Sequence, residues 1–124
     1  MEKYLLLLIV ALTGASGQIL LKMGASQSLP QLPEIHSLGT LLQTVFIFLK
    51  NYQILLAIFL YGSGLFFWLF VLTKFELSYV FPLTAIVYVS VMLFSWLTLK
   101  ENVSALRIMG TLTIIIGIYL AAKS

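Results

Sequence analysis

The sequence contains no cysteine and no aspartate, a single histidine and very few charged residues. Without cysteine, the chain has neither disulfides nor thiolate metal sites. One histidine and four scattered glutamates argue against a metal site or a histidine-based catalytic pair, so we expect no metal, no cofactor and no enzymatic activity. The net charge of +3 includes no basic stripe, which argues against nucleic-acid binding.

Hydrophobic side chains dominate what is present. They make up 61% of the residues, whereas charged residues make up 9%, against about 25% in a soluble domain. Too few polar side chains remain to cover a water-facing surface, so we expect an integral membrane protein. A spanning helix needs about 20 mostly apolar residues. The stretches of suitable length are 4–23, 52–73, 77–99 and 105–122, which predicts an all-α protein with one four-helix transmembrane domain over residues 1–124.

The connections between these stretches differ in length. Residues 74–76 and 100–102 are short polar breaks, so the second, third and fourth spans should form tight antiparallel hairpins. Ser104 is a predicted N-cap of the last helix. The first connection, residues 24–51, is much longer, and Gly24, Pro30 and Pro33 are expected to stop the first helix from continuing.

The long connection carries its own helical pattern. Apolar residues recur at three- and four-residue spacing, namely Ile35, Leu38, Leu42, Val45, Phe46 and Leu49. This pattern predicts an amphipathic helix on the membrane surface. The alternative is an N-terminal extension of the second spanning helix.

The N-terminus has some features of a cleaved signal peptide, with a basic start and a short apolar stretch. The apolar pattern resumes after Gln18, which favours a retained first span. With four spans, both termini lie on one side of the membrane, together with Lys74. Lysine and arginine are almost evenly divided between the two sides, so the positive-inside rule assigns no orientation.

Small residues line one face of the last span, at intervals of three and four: Gly110, Thr113, Gly117 and Ala121. Small residues allow membrane helices to approach closely. The pattern favours a subunit interface, in a homodimer or in a heterodimer with a related four-helix chain. Packing within one monomer is the alternative.

Gln18 and Lys22 lie four residues apart on one face of the first span, and Gly14 extends that face inward. A charge at the bilayer centre costs at least about 2.5–3.5 kcal/mol and usually faces a pathway or a partner. Lys22 is therefore a candidate for binding an anionic group such as a lipid phosphate, or it reaches the headgroups by snorkelling. Arg107, one turn into the last span, either binds a phosphate bidentately or anchors the interface.

Other polar and aromatic residues have candidate roles. Tyr61 and Trp68 are seven apart on one face and could stack against a sugar or a prenyl chain, or they are interface anchors. Glu101 is expected to neutralise Lys100 or Arg107. Pro82 should loosen the third span by removing a backbone donor.

Three segments resemble a known group: "ASGQILLKMGAS", "LSYVFPLTAIVYVSVMLFSWLTLKE" and "RIMGTLTIIIGIYL". They resemble the drug/metabolite transporter superfamily, and the four-span layout resembles its small-multidrug-resistance-like branch. Within that branch the chain is similar to the small subunits that flip undecaprenyl-phosphate-linked aminoarabinose. The resemblance implies alternating access in the bacterial inner membrane, with membrane lipid and a lipid-linked sugar as partners and with no cofactor.

The sequence departs from the multidrug members at informative positions. Their membrane-embedded glutamate is matched here by Gly14, and their chamber tryptophan by Pro82, whereas Tyr79 matches a chamber-lining position. Proton-coupled drug export is therefore not expected by that mechanism. The leading hypothesis is a flippase subunit for a polyprenyl-phosphate-linked sugar. The alternatives are a small multidrug or metabolite exporter and a non-transporting membrane scaffold subunit.

Under the leading hypothesis the predicted site has two parts. The substrate-binding residues are Gln18, Lys22, Tyr61, Trp68, Ser78, Tyr79 and Arg107. The residues that would permit rocking between conformations are Gly14, Gly17 and Pro82.

Overall fold

The computed structural model describes residues 2–124, and within that range it is helical with no strand. Its helices in chain order are α1 (Glu2–Ser28), α2 (Leu38–Lys50), α3 (Tyr52–Lys74), α4 (Leu77–Leu83), α5 (Ile86–Thr98) and α6 (Ala105–Lys123). A short 3-10 turn, Leu29–Gln31, extends α1.

Four helical segments are long and apolar enough to cross a membrane: Glu2–Gln31, Tyr52–Lys74, Leu77–Thr98 and Ala105–Lys123. Their side chains are mostly exposed at the surface of the monomer, as expected where lipid is the solvent. The predicted four-span, all-helical multi-pass architecture is therefore confirmed. Ser104 is also confirmed as the N-cap of α6, because its Oγ accepts a hydrogen bond from the Arg107 N–H at 3.3 Å.

The prediction that Gly24 ends the first helix is wrong. α1 continues to Ser28, and Gly24 is buried within it. A Cβ atom built on Gly24 would lie 2.5 Å from Ile54 Cγ1 and 2.9 Å from Asn51 Oδ1. Glycine is thus required at position 24 because α1 approaches the start of α3 closely there. In sequence, a glycine in that role cannot be distinguished from a glycine that ends a helix.

Asn51 separates α2 from α3. Its extended backbone (φ −80°, ψ 121°) interrupts the helix, while its Oδ1 accepts hydrogen bonds from the N–H groups of Gln53 and Ile54. Its Nδ2 donates to the Gly24 carbonyl oxygen at 3.5 Å. α2 is therefore a separate helix and not a continuous extension of α3, and Asn51 ties the ends of α1 and α3 together.

The third span is interrupted after Pro82. Pro82 has no N–H to donate to a carbonyl in the preceding turn. The N–H groups of Ala85, Val87 and Tyr88 then bond to carbonyls three residues earlier, at 2.9–3.1 Å. The span is therefore divided into α4 and α5 shortly after Pro82, and the loosening of the span by Pro82 stays a prediction.

The most extensive helix contact is between α1 and α3, and glycines permit it. A Cβ on Gly17 would lie 3.0 Å from the Tyr61 ring, and one on Gly64 would lie 2.8 Å from Thr13 Oγ1. Ala15 and Ala57 are fully buried. In lipid, such close van der Waals fits hold helices together. α5 packs on α1, and α6 packs on α4 and α5.

We expect Gly24→Ala to destabilise the protein, because the added methyl group meets Ile54 and the Asn51 cap. Overpacking of this kind typically costs about 1–3 kcal/mol. The matched control is Gly62→Ala, since a Cβ there meets nothing within 4 Å. Thermal unfolding in detergent should show a lower midpoint for Gly24→Ala and an unchanged or higher one for Gly62→Ala. Equal midpoints for the two variants would contradict the close approach at Gly24.

Candidate functional site

A groove of about 420 Å³ lies near one end of the bundle, between α1, α5 and the start of α6. Gln18 of α1 and Arg107 of α6 both line it, with Met92 and Ser95 of α5 between them. Glu101, in the loop that joins α5 to α6, also lines this groove. The structure therefore brings together two of the predicted substrate-binding residues, Gln18 and Arg107, from opposite ends of the sequence.

Lys22 does not line this groove, but it lies beside it and contacts Glu101, which does. Its Nζ is 3.9 Å from Glu101 Oε1, and the side chains of the two residues are 60% and 42% exposed. The expectation that Glu101 pairs with Lys100 or Arg107 is wrong, because in the described residues its ion pair is with Lys22. Exposed pairs of this kind contribute about 0–1 kcal/mol. The pair is thus weak enough for another anion to replace Glu101.

The turn after α5 sets the position of Glu101. Lys100 has a left-handed backbone, with φ 53°, which is uncommon for a residue other than glycine. The Glu101 N–H then donates to the Ser95 carbonyl oxygen at 3.3 Å, which folds the loop back over the end of α5. The Glu101 carboxylate is thereby directed to α1 and Lys22.

Arg107 has a neutral partner. Its Nη1 donates to the Asn102 carbonyl oxygen at 3.2 Å, and within residues 2–124 no carboxylate oxygen lies within 4.0 Å of the guanidinium. Because a guanidinium has five N–H donors in a planar fork, Arg107 keeps donors for a bidentate phosphate contact. The groove therefore holds Arg107 and Glu101, and a second cation, Lys22, lies beside it on Glu101.

A second cavity, of about 260 Å³, contains three more of the predicted residues. Gly14, Tyr61 and Trp68 line it together, with Val87 of α5 on its wall. Tyr61 and Trp68 thus share a face, as their spacing predicts. The Tyr61 hydroxyl is buried without a hydrogen-bond partner in the described residues, and the Gln18 side chain lies beside it. Gln18 therefore stands between the polar groove and the aromatic cavity.

Ser78 and Tyr79 lie at the opposite end of the bundle. The Tyr79 ring stacks on Phe75 with ring centroids 5.6 Å apart, and its hydroxyl donates to the Ala122 carbonyl oxygen at 3.4 Å. This end adjoins Tyr4, which packs against Phe75. Between Tyr4 and Lys22, α1 rises about 27 Å at ~1.5 Å per residue. The structure therefore separates Ser78 and Tyr79 from the groove that holds Gln18 and Arg107.

The predicted conformational and interface residues fall in different surroundings. Gly17 is buried against Tyr61, Gly14 packs close to Val87 beside the second cavity, and Pro82 precedes the break in the third span. On α6 no residue is buried, and a Cβ at Gly110 or Gly117 meets nothing within 4 Å. The remaining small residues of the α6 face are Thr113, which is exposed, and Ala121, which is half-buried.

Sequence reasoning missed Ser95 as a groove residue. It lies seven positions after Tyr88, on the same face of α5, and both line the groove. That spacing was the available signal.

A comparison of the chain with protein-family models, curated proteins and solved structures found no match. The groove itself is therefore the basis for a proposed function.

The contact between Lys22 and Glu101 can be tested by cross-linking, since the chain has no cysteine. Lys22→Cys combined with Glu101→Cys should be joined efficiently by a short bifunctional thiol reagent in membranes. Lys22→Cys combined with Lys74→Cys is the control, because Lys74 ends α3 at the opposite end of the bundle. Gel mobility after proteolysis between the two sites reports the cross-link. Similar yields for both pairs would contradict the placement of Lys22.

Proposed function

We propose that this chain is a subunit of a membrane transporter that moves an amphipathic anion between bilayer leaflets. The substrate class is a polyprenyl-phosphate-linked sugar. This proposal adopts the resemblance to the flippase subunits of the drug/metabolite transporter superfamily, and hence alternating access in the bacterial inner membrane. The observation that carries it is the groove lined by Gln18 of α1 and Arg107 of α6, with Lys22 beside it in contact with Glu101.

The charges of the groove favour a negative ligand. Arg107 within the groove and Lys22 beside it outnumber Glu101, and the other carboxylates of the chain (Glu2, Glu34 and Glu76) are not among the residues that line it. Hydrogen bonds to a charged group contribute about 1.5–3 kcal/mol each, more than those between neutral groups. A phosphate that replaces Glu101 would gain contacts to both cations, and the Gln18 amide could donate to the sugar or the phosphate.

The groove also suits a ligand with a hydrocarbon part. Its walls are membrane helices, and α1 and α6 are joined there mainly through α5 and not by extensive direct contact. A headgroup could therefore enter the groove from the side while its tail remains among lipids. A water-soluble ion would not need such a lateral opening.

The proposal also covers the position of α2 in the membrane and the presence of a second chain. α2 would lie in the membrane interface, since its 13 residues extend only about 20 Å and cannot cross a ~30 Å hydrocarbon core. Its apolar side chains are exposed for contact with lipid: Leu38, Leu41, Leu42, Val45, Phe46 and Leu49. A second four-helix chain, identical or related, would pack on the small residues of α6 and complete the transporter.

Binding of undecaprenyl phosphate to the purified protein tests the proposed substrate class. We expect thermal stabilisation by this lipid and none by a quaternary ammonium compound. Arg107→Ala or Lys22→Ala should weaken binding about tenfold, equivalent to ~1.4 kcal/mol. Glu101→Gln should strengthen it by up to about fivefold, because a competing carboxylate worth ~1 kcal/mol or less is removed.

Glu76→Gln is the control for this experiment, because Glu76 lies at the other end of the bundle, before α4. It should bind the lipid like the unaltered protein. Stabilisation by quaternary ammonium that is lost in Glu101→Gln would favour the exporter alternative. A lack of response to either ligand, together with tight co-purification of another chain, would favour a scaffold subunit.

The proposed dimer predicts that Gly117→Leu lowers the dimer fraction in detergent or in nanodiscs. Leucine would prevent close approach at the small-residue face of α6, although it meets nothing within the monomer. Gly62→Leu on α3 is matched to it, since a Cβ there is equally unobstructed. Mass photometry or single-molecule photobleaching would count the subunits. A dimer fraction that falls equally in both variants, or in neither, would contradict an interface on α6.

A further inference from the structure

Three cavities meet at one residue of α5. Val87 lines the polar groove of about 420 Å³, the aromatic cavity of about 260 Å³ and a third cavity of about 300 Å³. The third cavity lies between α1 and the junction of α4 with α5, and Leu8, Leu83 and Ser90 are among its lining residues. The three cavities therefore adjoin one another along α1 and α5 on either side of Val87, and we call this row of cavities the seam.

The chemistry of the seam changes along its length. At the end that holds Gln18, Glu101 and Arg107 its lining is polar and charged. Beyond Val87 the lining of the third cavity consists of leucine, valine, isoleucine and alanine, with Tyr4, Thr84 and Ser90 as its residues with hydroxyl groups. The hydroxyls of Thr84 and Ser90 donate to the carbonyls of Phe81 and Ile86. They are thus satisfied within the helix, and the cavity remains apolar in character.

The seam is longer than one leaflet. Its lining runs along α1 from Gln18 to Tyr4, a rise of about 21 Å at ~1.5 Å per residue. That distance is more than half of a hydrocarbon core of about 30 Å. A lipid with its phosphate near Lys22 and Arg107 would direct its tail along the seam past the bilayer midplane.

We infer that the seam beyond Val87 is a binding site for the hydrocarbon tail of the transported lipid, here a polyprenyl chain. This inference rests on the proposed function, because the cations place the headgroup that orients the tail. Because the site binds the tail, a lipid with a longer tail binds with higher affinity. Anions with the same phosphate and a short tail occupy the headgroup end only and bind more weakly.

The test compares three probes on the purified protein in nanodiscs: undecaprenyl phosphate, geranyl phosphate and undecaprenol. We expect undecaprenyl phosphate to bind most tightly. Ser90→Trp, which fills the third cavity, should weaken its binding about tenfold and leave the affinity for geranyl phosphate within about twofold. Leu97→Trp is the matched control on α5, since Leu97 is 62% exposed and lines none of these cavities.

The outcomes separate the two proposals. Equal affinity for the two phosphates in the unaltered protein, or equal effects of Ser90→Trp and Leu97→Trp, would overturn the tail site and leave the anion site intact. Equal affinity for undecaprenol and undecaprenyl phosphate would overturn the proposed function, because the cations would then contribute nothing.

A second measurement covers the case in which Ser90→Trp does not fold. Undecaprenyl phosphate that carries a photoreactive diazirine within its tail should label the unaltered protein in residues 4–14 and 81–90. Labelling confined to the outer faces of α3 and α6 would overturn the tail site.

Discussion

The close approach of α1 to α3 determines where the polar residues of the first span point. Gly17 and Gly24 are seven positions apart and therefore lie on one side of α1, where each contacts α3. Successive helical residues are rotated by about 100°, so Gln18, which follows Gly17, faces the next helix around the bundle. The packing of small residues against Tyr61 and Ile54 thus directs Gln18 and Lys22 to α5, α6 and the groove. A bulkier residue at Gly17 or Gly24 would move the candidate site as well as destabilise the fold.

Electrostatics explains why such a groove would select its ligand by charge. Permanent cations within membrane helices are costly unless they face a partner. Here the partners are modest: Lys22 has Glu101 at 3.9 Å, and Arg107 has a backbone carbonyl at 3.2 Å. Neither contact satisfies all the donors of its cation. Under the proposed function a phosphate would be a better partner for both, and the apolar seam beyond Val87 would favour an anion with a long tail.

The sequence predicted the spans and the N-cap at Ser104, because each depends on local chemistry. It also predicted that Tyr61 and Trp68 share a face, because seven residues make nearly two full turns of a helix. The predicted helix end at Gly24 and the predicted ion-pair partners of Glu101 were wrong, because both depend on contacts between distant segments of the chain. A glycine that ends a helix and one that admits a neighbouring side chain are alike in sequence. The partner of Glu101 is set by the turn at Lys100, and no spacing rule connects residue 101 to residue 22.

The most direct test of the account is the distance between a ligand phosphate and the Arg107 guanidinium. Solid-state NMR can measure the dipolar coupling between phosphorus in bound undecaprenyl phosphate and ¹⁵N in labelled arginine, and Arg107 is the only arginine in the chain. We predict a coupling that corresponds to direct hydrogen-bonded contact, with a nitrogen-to-oxygen distance of about 2.7–2.9 Å. A saturated ligand that shows no phosphorus–nitrogen coupling would contradict the claim that the groove binds an anion.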